Sequence, residues 1–325
     1  MAPKSFAELP SYDELPDKKR FWVWGPPGSH EEGLGMLNLL TPEHVASSAA
    51  KEIKTGHRVG LGWEFHKVEF PYFKRRLYEM KIVEVAPDAF DDEYHFNPQQ
   101  SSQWDGFRHH SQPAPDHSDG KLWYGGTTKQ EIAKGETSRI GIHHWAQQGI
   151  AGRGVLLDFA SWAKEKGIKY SSMSDRQITL DELKQVAEHY KVDIQPGDIL
   201  FIRIGFIEEW NSLTEQQMKD YRNGSEAHHT GIEATEDMVR WLWDNHFCAV
   251  ASDAVSLEVF PSVDPNFSLH HYLLAGWGVP IGEMFDLDGL AEMCKQQNRY
   301  SFFVTSAPFN AVGGVSSAPN AIAFF

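Results

Sequence analysis

The alternation of apolar and polar positions predicts a chain in which helices follow buried strands. A helix is predicted over 41–56, because a threonine can cap its first turn, a proline suits its first helical position and a glycine can end it. A Thr-x-x-Glu capping box predicts a second helix over 179–189. Apolar side chains at helical spacing predict a third helix over 235–247.

Apolar runs bounded by turn residues predict the strands. Buried strands are expected over 152–159, 195–206 and 248–258, the last ending in an acidic loop, with further strands near 59–66 and 81–87. Because strands alternate with helices, some of them should pair in parallel, with the helices packed on the sheet. The pattern therefore predicts an α/β fold.

The chain has no internal repeat, low-complexity tract or Gly/Ser linker, so we predict one domain over 31–325. Residues 1–30 are polar and proline-rich, and we interpret them as an N-terminal arm. Residues 88–128 show little periodicity but many histidine, glutamine, serine and aspartate side chains. A long irregular stretch in a compact domain is more often functional than structural.

Composition narrows the classes of function. The 325 residues carry 30 Lys and Arg against 45 Asp and Glu, which gives a net charge of −15. The electrostatic field of this negative charge repels phosphate groups, which argues against nucleic acid or an acidic membrane surface as a partner. The two cysteines form no disulfide framework, and the chain shows neither a signal sequence nor an apolar run of membrane-spanning length. We therefore expect a cytoplasmic enzyme that acts on a small molecule.

The densest polar cluster contains Gln99, Gln103, Asp105 and His109. A proline, a serine pair and a glycine favour a loop here, and such a loop could present Asp105 and His109 side by side. A carboxylate beside a histidine supplies either a metal ligand with its proton-transfer partner or an oriented general base. The alternative is a hydrogen-bonded loop with solvated histidines.

A second cluster joins His271 to Glu283 across a Gly/Pro turn. Histidine and carboxylate both bind first-row divalent metals, but a helix-terminal histidine and a capping glutamate fit the same spacing. Trp104, His110 and His229 are candidate substrate contacts. The sequence contains no phosphate-binding glycine loop and no Gly-x-Ser-x-Gly elbow.

Over roughly 33–290 the chain resembles the metal-dependent cyclase family, which includes bacterial kynurenine formamidase and isatin hydrolase. The resemblance rests on the opening helix with its lead-in, the Gly-Asp turn and strand near 197–206, and the helix and strand over 228–258. The closing VGGVSSAPNAIAFF is similar to fungal members. The resemblance implies a single α/β domain with a mixed, partly barrel-like sheet and outer helices. It also implies a homodimer or dimer of dimers, in which the arm 1–30 packs on the partner.

The family motif His-x-Gly-Thr-His-x-Asp-x-x-x-His is matched by QQSSQWDGFRH, residues 99–109. His109 matches the histidine to which the family assigns proton transfer. Two of the five expected metal ligands are glutamine here, which resembles a fungal-type branch with Gln-Trp-Asp-Gly. The positions that the resemblance implies as metal ligands are Gln99, Gln103, Asp105, His271 and Glu283.

An amide oxygen is a weak ligand in comparison with imidazole, so this oxygen-rich set favours Mg²⁺ or Mn²⁺ over Zn²⁺. We predict a hydrolase or cyclase acting on an amide, lactone or related carbonyl compound. Asp105, His271 and Glu283 would hold a divalent ion or water, and His109 would transfer protons. If the metal has been lost, the same groups could serve a metal-independent lyase, isomerase or cyclase. A non-catalytic small-molecule binding protein on the same fold is the third interpretation.

Overall fold

Local capping chemistry begins the helices where the sequence predicts them. In the computed structural model, which describes residues 5–67, 73, 75–115, 120–135, 137–224 and 227–325, all three predicted helices are present. Thr179 and Glu182 each accept the backbone N–H of the other, as the capping box requires. The helices are α1 (His30–Leu34), α2 (Pro42–Glu52), α3 (Lys129–Ala133), α4 (His143–Gln148), α5 (Phe159–Glu165), α6 (Leu180–Tyr190), α7 (Phe206–Ser212), α8 (Glu215–Asn223), α9 (Glu236–Asp244) and α10 (Asp288–Gln297).

The predicted buried strands form the centre of the sheet. The strands are β1 (Arg58–Gly60), β2 (Glu79–Ala86), β3 (Ala89–His95), β4 (Gln103–Asp105), β5 (Gln112–Pro113), β6 (Lys121–Trp123), β7 (Thr127–Thr128), β8 (Ile150–Asp158), β9 (Gln177–Ile178), β10 (Ile199–Arg203), β11 (Gly231–Ile232), β12 (Ala249–Ser252), β13 (Ile281–Glu283), β14 (Ser301–Ser306), β15 (Ser316–Ser317) and β16 (Ala321–Phe324).

Among the described residues, nine strands form one mixed sheet in the order β1-β16-β14-β8-β10-β12-β13-β4-β15. The central run β8-β10-β12-β13 is parallel, and the flanking pairs are antiparallel. The parallel strands are almost wholly buried, since helices cover them. The sheet curls into a half-barrel with helices packed on it, which confirms the predicted single α/β domain with a mixed, partly barrel-like sheet.

The described part of the stretch 88–128, which shows little periodicity in the sequence, contributes to three sheets. Strand β4 joins the central sheet, β3 pairs with β2 in a hairpin, and β5, β6 and β7 form a small sheet of their own. The hairpin exposes half or more of the side chains of Met80, Ile82 and Phe90, at 50%, 57% and 66%. Exposed apolar faces of this kind are typical of contact surfaces, and the homodimer stays a prediction.

The segment that the sequence predicts to be an arm lies on its own chain from residue 5 onward. Tyr12 is buried, its backbone N–H donates to Asp244 (2.7 Å), and the indole N–H of Trp243 donates to the Pro10 carbonyl (2.8 Å). These partners belong to α9 of the same chain. Tyr12 therefore completes the core of its own subunit, and the packing of this segment on a partner subunit stays a prediction.

Both cysteines, Cys248 and Cys294, are buried free thiols. Burial raises the pKa of each thiol, so neither forms the nucleophilic thiolate at neutral pH. No helix in the described part of the chain is both long and apolar enough to cross a lipid bilayer.

Asp253, after β12, holds the turn that starts α7. Its carboxylate accepts the backbone N–H groups of Ile204 (2.6 Å), Gly205 (2.8 Å) and Phe206 (3.0 Å). We expect Asp253→Ala to lower the free energy of unfolding by about 3 kcal/mol or more, because three buried donors would lose their acceptor at about 1–3 kcal/mol each. Urea denaturation measures this.

The control is Asp220→Ala on the exposed surface of α8, which should change the free energy of unfolding by no more than about 0.5 kcal/mol. Equal stability of the two variants would mean that water replaces the Asp253 carboxylate.

Candidate active site

Strand pairing brings the first polar cluster against Glu283. In the antiparallel pair β4–β13, Gln103 lies opposite Glu283 and Asp105 lies opposite Ile281. Side chains alternate between the faces of a strand, so Gln103, Asp105 and Glu283 share one face. The amide nitrogen of Gln103 donates to Glu283 Oε2 (2.8 Å) and lies 3.3 Å from Asp105 Oδ1. Two buried carboxylates thus meet around one amide.

Trp104 points to the opposite face of β4, so its predicted contact with substrate is wrong. Its side chain is 1% exposed, packs on the ring of Phe285, and donates its indole N–H to Ser306 Oγ (2.9 Å). Gly282 provides the space, because a Cβ there would lie 3.0 Å from the indole. Strand alternation places this tryptophan in the core.

His270, and not His271, is the histidine that faces the carboxylates. His270 Nε2 lies 3.3 Å from Glu283 Oε1 and 3.9 Å from Asp105 Oδ2. The ring of His271 instead packs on His110, with ring centroids 5.2 Å apart. Neighbouring residues on a helical turn point about 100° apart, so only one of the two can face inward. The position implied for His271 is corrected to His270.

The two glutamines face the carboxylates with their amide nitrogens. Gln99 Nε2 donates to Asp105 Oδ1 (2.8 Å) and to His109 Nδ1 (2.8 Å). In this arrangement Gln99 and Gln103 are hydrogen-bond donors, and their implied role as oxygen ligands stays a prediction. Gln103 Oε1 is buried without a hydrogen-bond partner among the described residues, so this neutral oxygen is available as a ligand atom.

Burial and ion pairing set the charges of the site. Burial raises the pKa of both Asp105 and Glu283, and the nearness of Asp105 raises that of Glu283 further. Burial alone would lower the pKa of His270, but the carboxylates of Glu258, 2.8 Å from Nδ1, and of Glu283 together outweigh it and raise that pKa well above its usual value. The same pairing overcomes burial at Glu258 and lowers its pKa to about 2.

The other histidines around the site are neutral. Burial lowers the pKa of His109 to about 4, that of His110 to about 3 and that of His271 to about 4. An uncharged imidazole keeps a lone pair that can bind a metal or accept a hydrogen bond. The ring of His110 lies beside the site, with its centroid 5.3 Å from that of His270, and its contact with substrate stays a prediction.

Three side chains lie close enough together to hold a divalent metal ion. One ligand atom from each of Asp105, His109 and His270 lies within 4.8 Å of the other two. Carboxylate oxygen with imidazole nitrogen suits first-row divalent ions, and Glu283 stands beside His270 as a second carboxylate. The residues present therefore fit a divalent metal ion.

His229 is away from solvent and among aromatic rings. It is 0% exposed, its Nε2 lies 3.3 Å from the hydroxyl of Tyr221, and its ring packs near Phe206 and Phe260. Its surroundings are therefore apolar and aromatic, unlike those of the carboxylates, and its contact with substrate stays a prediction.

Reasoning from the sequence did not identify two charged residues of the site. Arg75 donates to the backbone carbonyl of Gln99, and its charge acts on both Asp105 and Glu283. Glu258 binds His270, and its only signal was the acidic end of the strand predicted over 248–258. No motif marks either residue, since each acts through contacts that the fold creates.

A cavity of about 850 Å³ lies elsewhere, against α5, α6 and α10. Its buried cation Arg203 pairs with Asp158 (3.0 Å) and Asp288 (2.9 Å), and Arg153 pairs with Asp198 (2.7 Å). These charges are neutralised by one another. We therefore place the chemistry at the cluster around Asp105, although that cluster lies outside the large cavity.

Comparison with known proteins gives a consistent result. The family model named Cyclase, described as "Putative cyclase", matches residues 25–259. A crystal structure of a novel cyclase is 29% identical, with 91% of this chain and 97% of that chain covered and a TM-score of 0.77. Two isatin hydrolases share the fold. Isatin hydrolase A from Ralstonia solanacearum is 14% identical, with 87% of this chain and 97% of that chain covered and a TM-score of 0.54. Isatin hydrolase A from Labrenzia aggregata, bound to benzyl benzoate, is 15% identical, with 86% of this chain and 97% of that chain covered and a TM-score of 0.55. Among curated proteins no match is found.

Proposed function

Because the chain belongs to the Cyclase family, we propose that it is a small-molecule hydrolase or cyclase acting on the carbonyl group of an amide, lactone or related compound. The observation that carries the proposal is the convergence of Asp105, His109 and His270 on one point, with Glu283 beside them. Buried carboxylates and neutral imidazoles are the groups that carbonyl hydrolysis needs for binding an ion or water and for moving protons.

Asp105 and His270 are proposed to hold the ion, with Glu283 next to them. His109 would lie beside the ion as the proton donor, because its Nδ1 accepts from Gln99. When bound, a divalent ion would polarise the carbonyl and make a bound water more acidic. One imidazole among carboxylate oxygens keeps the ligand set rich in oxygen, so we propose Mn²⁺, with Mg²⁺ as its competitor.

The chain's own groups provide a path for protons. Since Gln99 donates to Nδ1 of His109, the proton of the neutral ring is on Nε2, 3.7 Å from Asp105 Oδ2. The attacking water would give a proton to the carboxylate of Asp105 or Glu283 as its oxygen bonds to the carbonyl carbon. His109 would then protonate the leaving group as the bond to it breaks, and the carboxylate would return a proton to Nε2.

One observation favours a second function. The amide of Gln103 already donates to both carboxylates, so the site is held together by hydrogen bonds without a cation. Metal-independent lyase, isomerase or cyclisation chemistry could use the same carboxylates and His109.

Two further expectations stay predictions from the sequence. They are that the protein is cytoplasmic and that it assembles as a homodimer or dimer of dimers.

Removal of the ion tests the proposed function. The purified protein is assayed on a formamide, on isatin as a cyclic amide and on a lactone, before and after dialysis against EDTA. We expect the turnover of at least one substrate to fall by about 10²-fold or more and to return with Mn²⁺, because a bound ion supplies several kcal/mol of stabilisation to the developing charge.

Dialysis without chelator is the control and should leave turnover unchanged. Full turnover after chelation would favour the metal-independent enzyme. No turnover of any carbonyl substrate with Mn²⁺ present would favour the non-catalytic binding protein.

A further inference from the structure

Glu258 is a buried carboxylate whose hydrogen bonds all go to one short segment of the chain. Its Oε2 lies 2.8 Å from His270 Nδ1, and its Oε1 accepts from the His270 backbone N–H (3.3 Å) and from Ser268 Oγ (3.0 Å). The residue is 6% exposed. It touches neither Asp105 nor Glu283 through these bonds, so it acts on the site through His270.

The bond at Nδ1 decides which nitrogen of His270 reaches the site. With the Nδ1 proton committed to Glu258, the atom that faces Glu283 (3.3 Å) and Asp105 (3.9 Å) is Nε2. A carboxylate behind a histidine in this way fixes the plane of the ring and the nitrogen that is free to bind.

The backbone around Glu258 is held by β11 and not only by its partner His270. The backbone N–H of Ile232 donates to the Leu257 carbonyl (3.1 Å), and the backbone N–H of Val259 donates to the Ile232 carbonyl (3.1 Å). Gly231 permits this approach, because a Cβ there would lie 2.3 Å from the carbonyl carbon of Glu258. The backbone on both sides of Glu258 is therefore held in place, and its carboxylate can fix the orientation of the His270 ring.

We propose that Glu258 is a positioning residue, which fixes the ring of His270 so that Nε2 points at Asp105 and Glu283. This role rests on the proposed function, because the orientation of the ring matters for metal binding only if His270 binds the proposed ion. Carboxylates placed behind a metal-binding histidine typically contribute about 10–100-fold to metal affinity.

The experiment compares Glu258→Ala and Glu258→Gln with Ser268→Ala. Ser268→Ala removes the serine hydrogen bond to the carboxylate and leaves both bonds from His270, so it controls for the loss of a hydrogen bond that does not involve the ring. The first measurement is the NMR signal of the hydrogen-bonded Nδ1 proton of His270 in ¹⁵N-histidine-labelled, metal-free protein, which is assigned by its loss in His270→Asn. The second is the dissociation constant for Mn²⁺, measured by calorimetry.

We expect Glu258→Ala to lose the Nδ1 proton signal and to bind Mn²⁺ about 10–100-fold more weakly. Glu258→Gln keeps an acceptor oxygen and should fall between this variant and the parent, and Ser268→Ala should match the parent in both measurements. A retained signal in both Glu258 variants, or an equal loss in Ser268→Ala, would overturn the proposal. If the parent binds no Mn²⁺ but the signal follows Glu258, the proposed ion fails and the positioning role stands. If Glu258→Ala does not fold, Glu258→Gln decides by the same signal.

Discussion

Asp105→Asn is expected to lower turnover by about 10²-fold or more and to remove measurable Mn²⁺ binding, while the protein stays folded. Asparagine keeps the shape of the side chain but supplies neither a charged ligand nor a proton acceptor. The parent carboxylate is 0% exposed and burial raises its pKa, so its charge is costly to the fold. The free energy of unfolding of the variant should therefore equal or exceed that of the parent.

Calorimetry with Mn²⁺, turnover and urea denaturation measure the three parts of this prediction. Glu283→Gln, on the neighbouring strand, is the companion variant and should behave in the same way, because burial also raises the pKa of its carboxylate. Unchanged Mn²⁺ binding in both variants would contradict the proposed site. Loss of function together with loss of folding would mean that the carboxylates serve stability.

The second large effect should separate two adjacent histidines. His270→Asn is expected to weaken Mn²⁺ binding by about 10²-fold and to lower the free energy of unfolding by about 3 kcal/mol, since it leaves the charge of Glu258 buried without its partner. His271→Asn should change Mn²⁺ affinity less than about threefold and stability by less than about 1 kcal/mol, because its ring packs on His110.

The two variants differ by one position and by the same change of side chain, so each is the control for the other. Circular dichroism establishes that His270→Asn is folded before its Mn²⁺ affinity is compared. Strong loss of Mn²⁺ binding in His271→Asn, with His270→Asn unaffected, would restore the assignment that spacing in the sequence implied.

The difference between these histidines illustrates the limit of spacing arguments. The family is confirmed by a match over residues 25–259, whereas His271 and Glu283, twelve residues apart, lie beyond that match. Spacing counts residues along the chain, however, and it does not tell which of two neighbours on a helical turn points inward. A turn of π-helix starts at His271, which changes the direction of each side chain in comparison with a regular helix.

Trp104 shows the same limit on a strand. Its neighbours Gln103 and Asp105 were found from the sequence, but the stretch was interpreted as a loop because proline, serine and glycine surround it. A loop gives no rule for the direction of a side chain, whereas the pairing of β4 with β13 imposes alternation and sends the indole into the core.

The sequence by itself determined the features that depend on a few consecutive residues. The caps and periodicity of α2, α6 and α9, the buried central strands, the α/β class and the family, and the local pair of Asp105 and His109 all follow from such short-range patterns. Tertiary structure alone decided the facing of Gln103 and Glu283, the choice of His270 and the role of Glu258. The first depends on the register between distant strands, and the other two depend on which histidine the helical turn directs at that register and on the carboxylate that the fold places behind it. None of these is a property of a short segment.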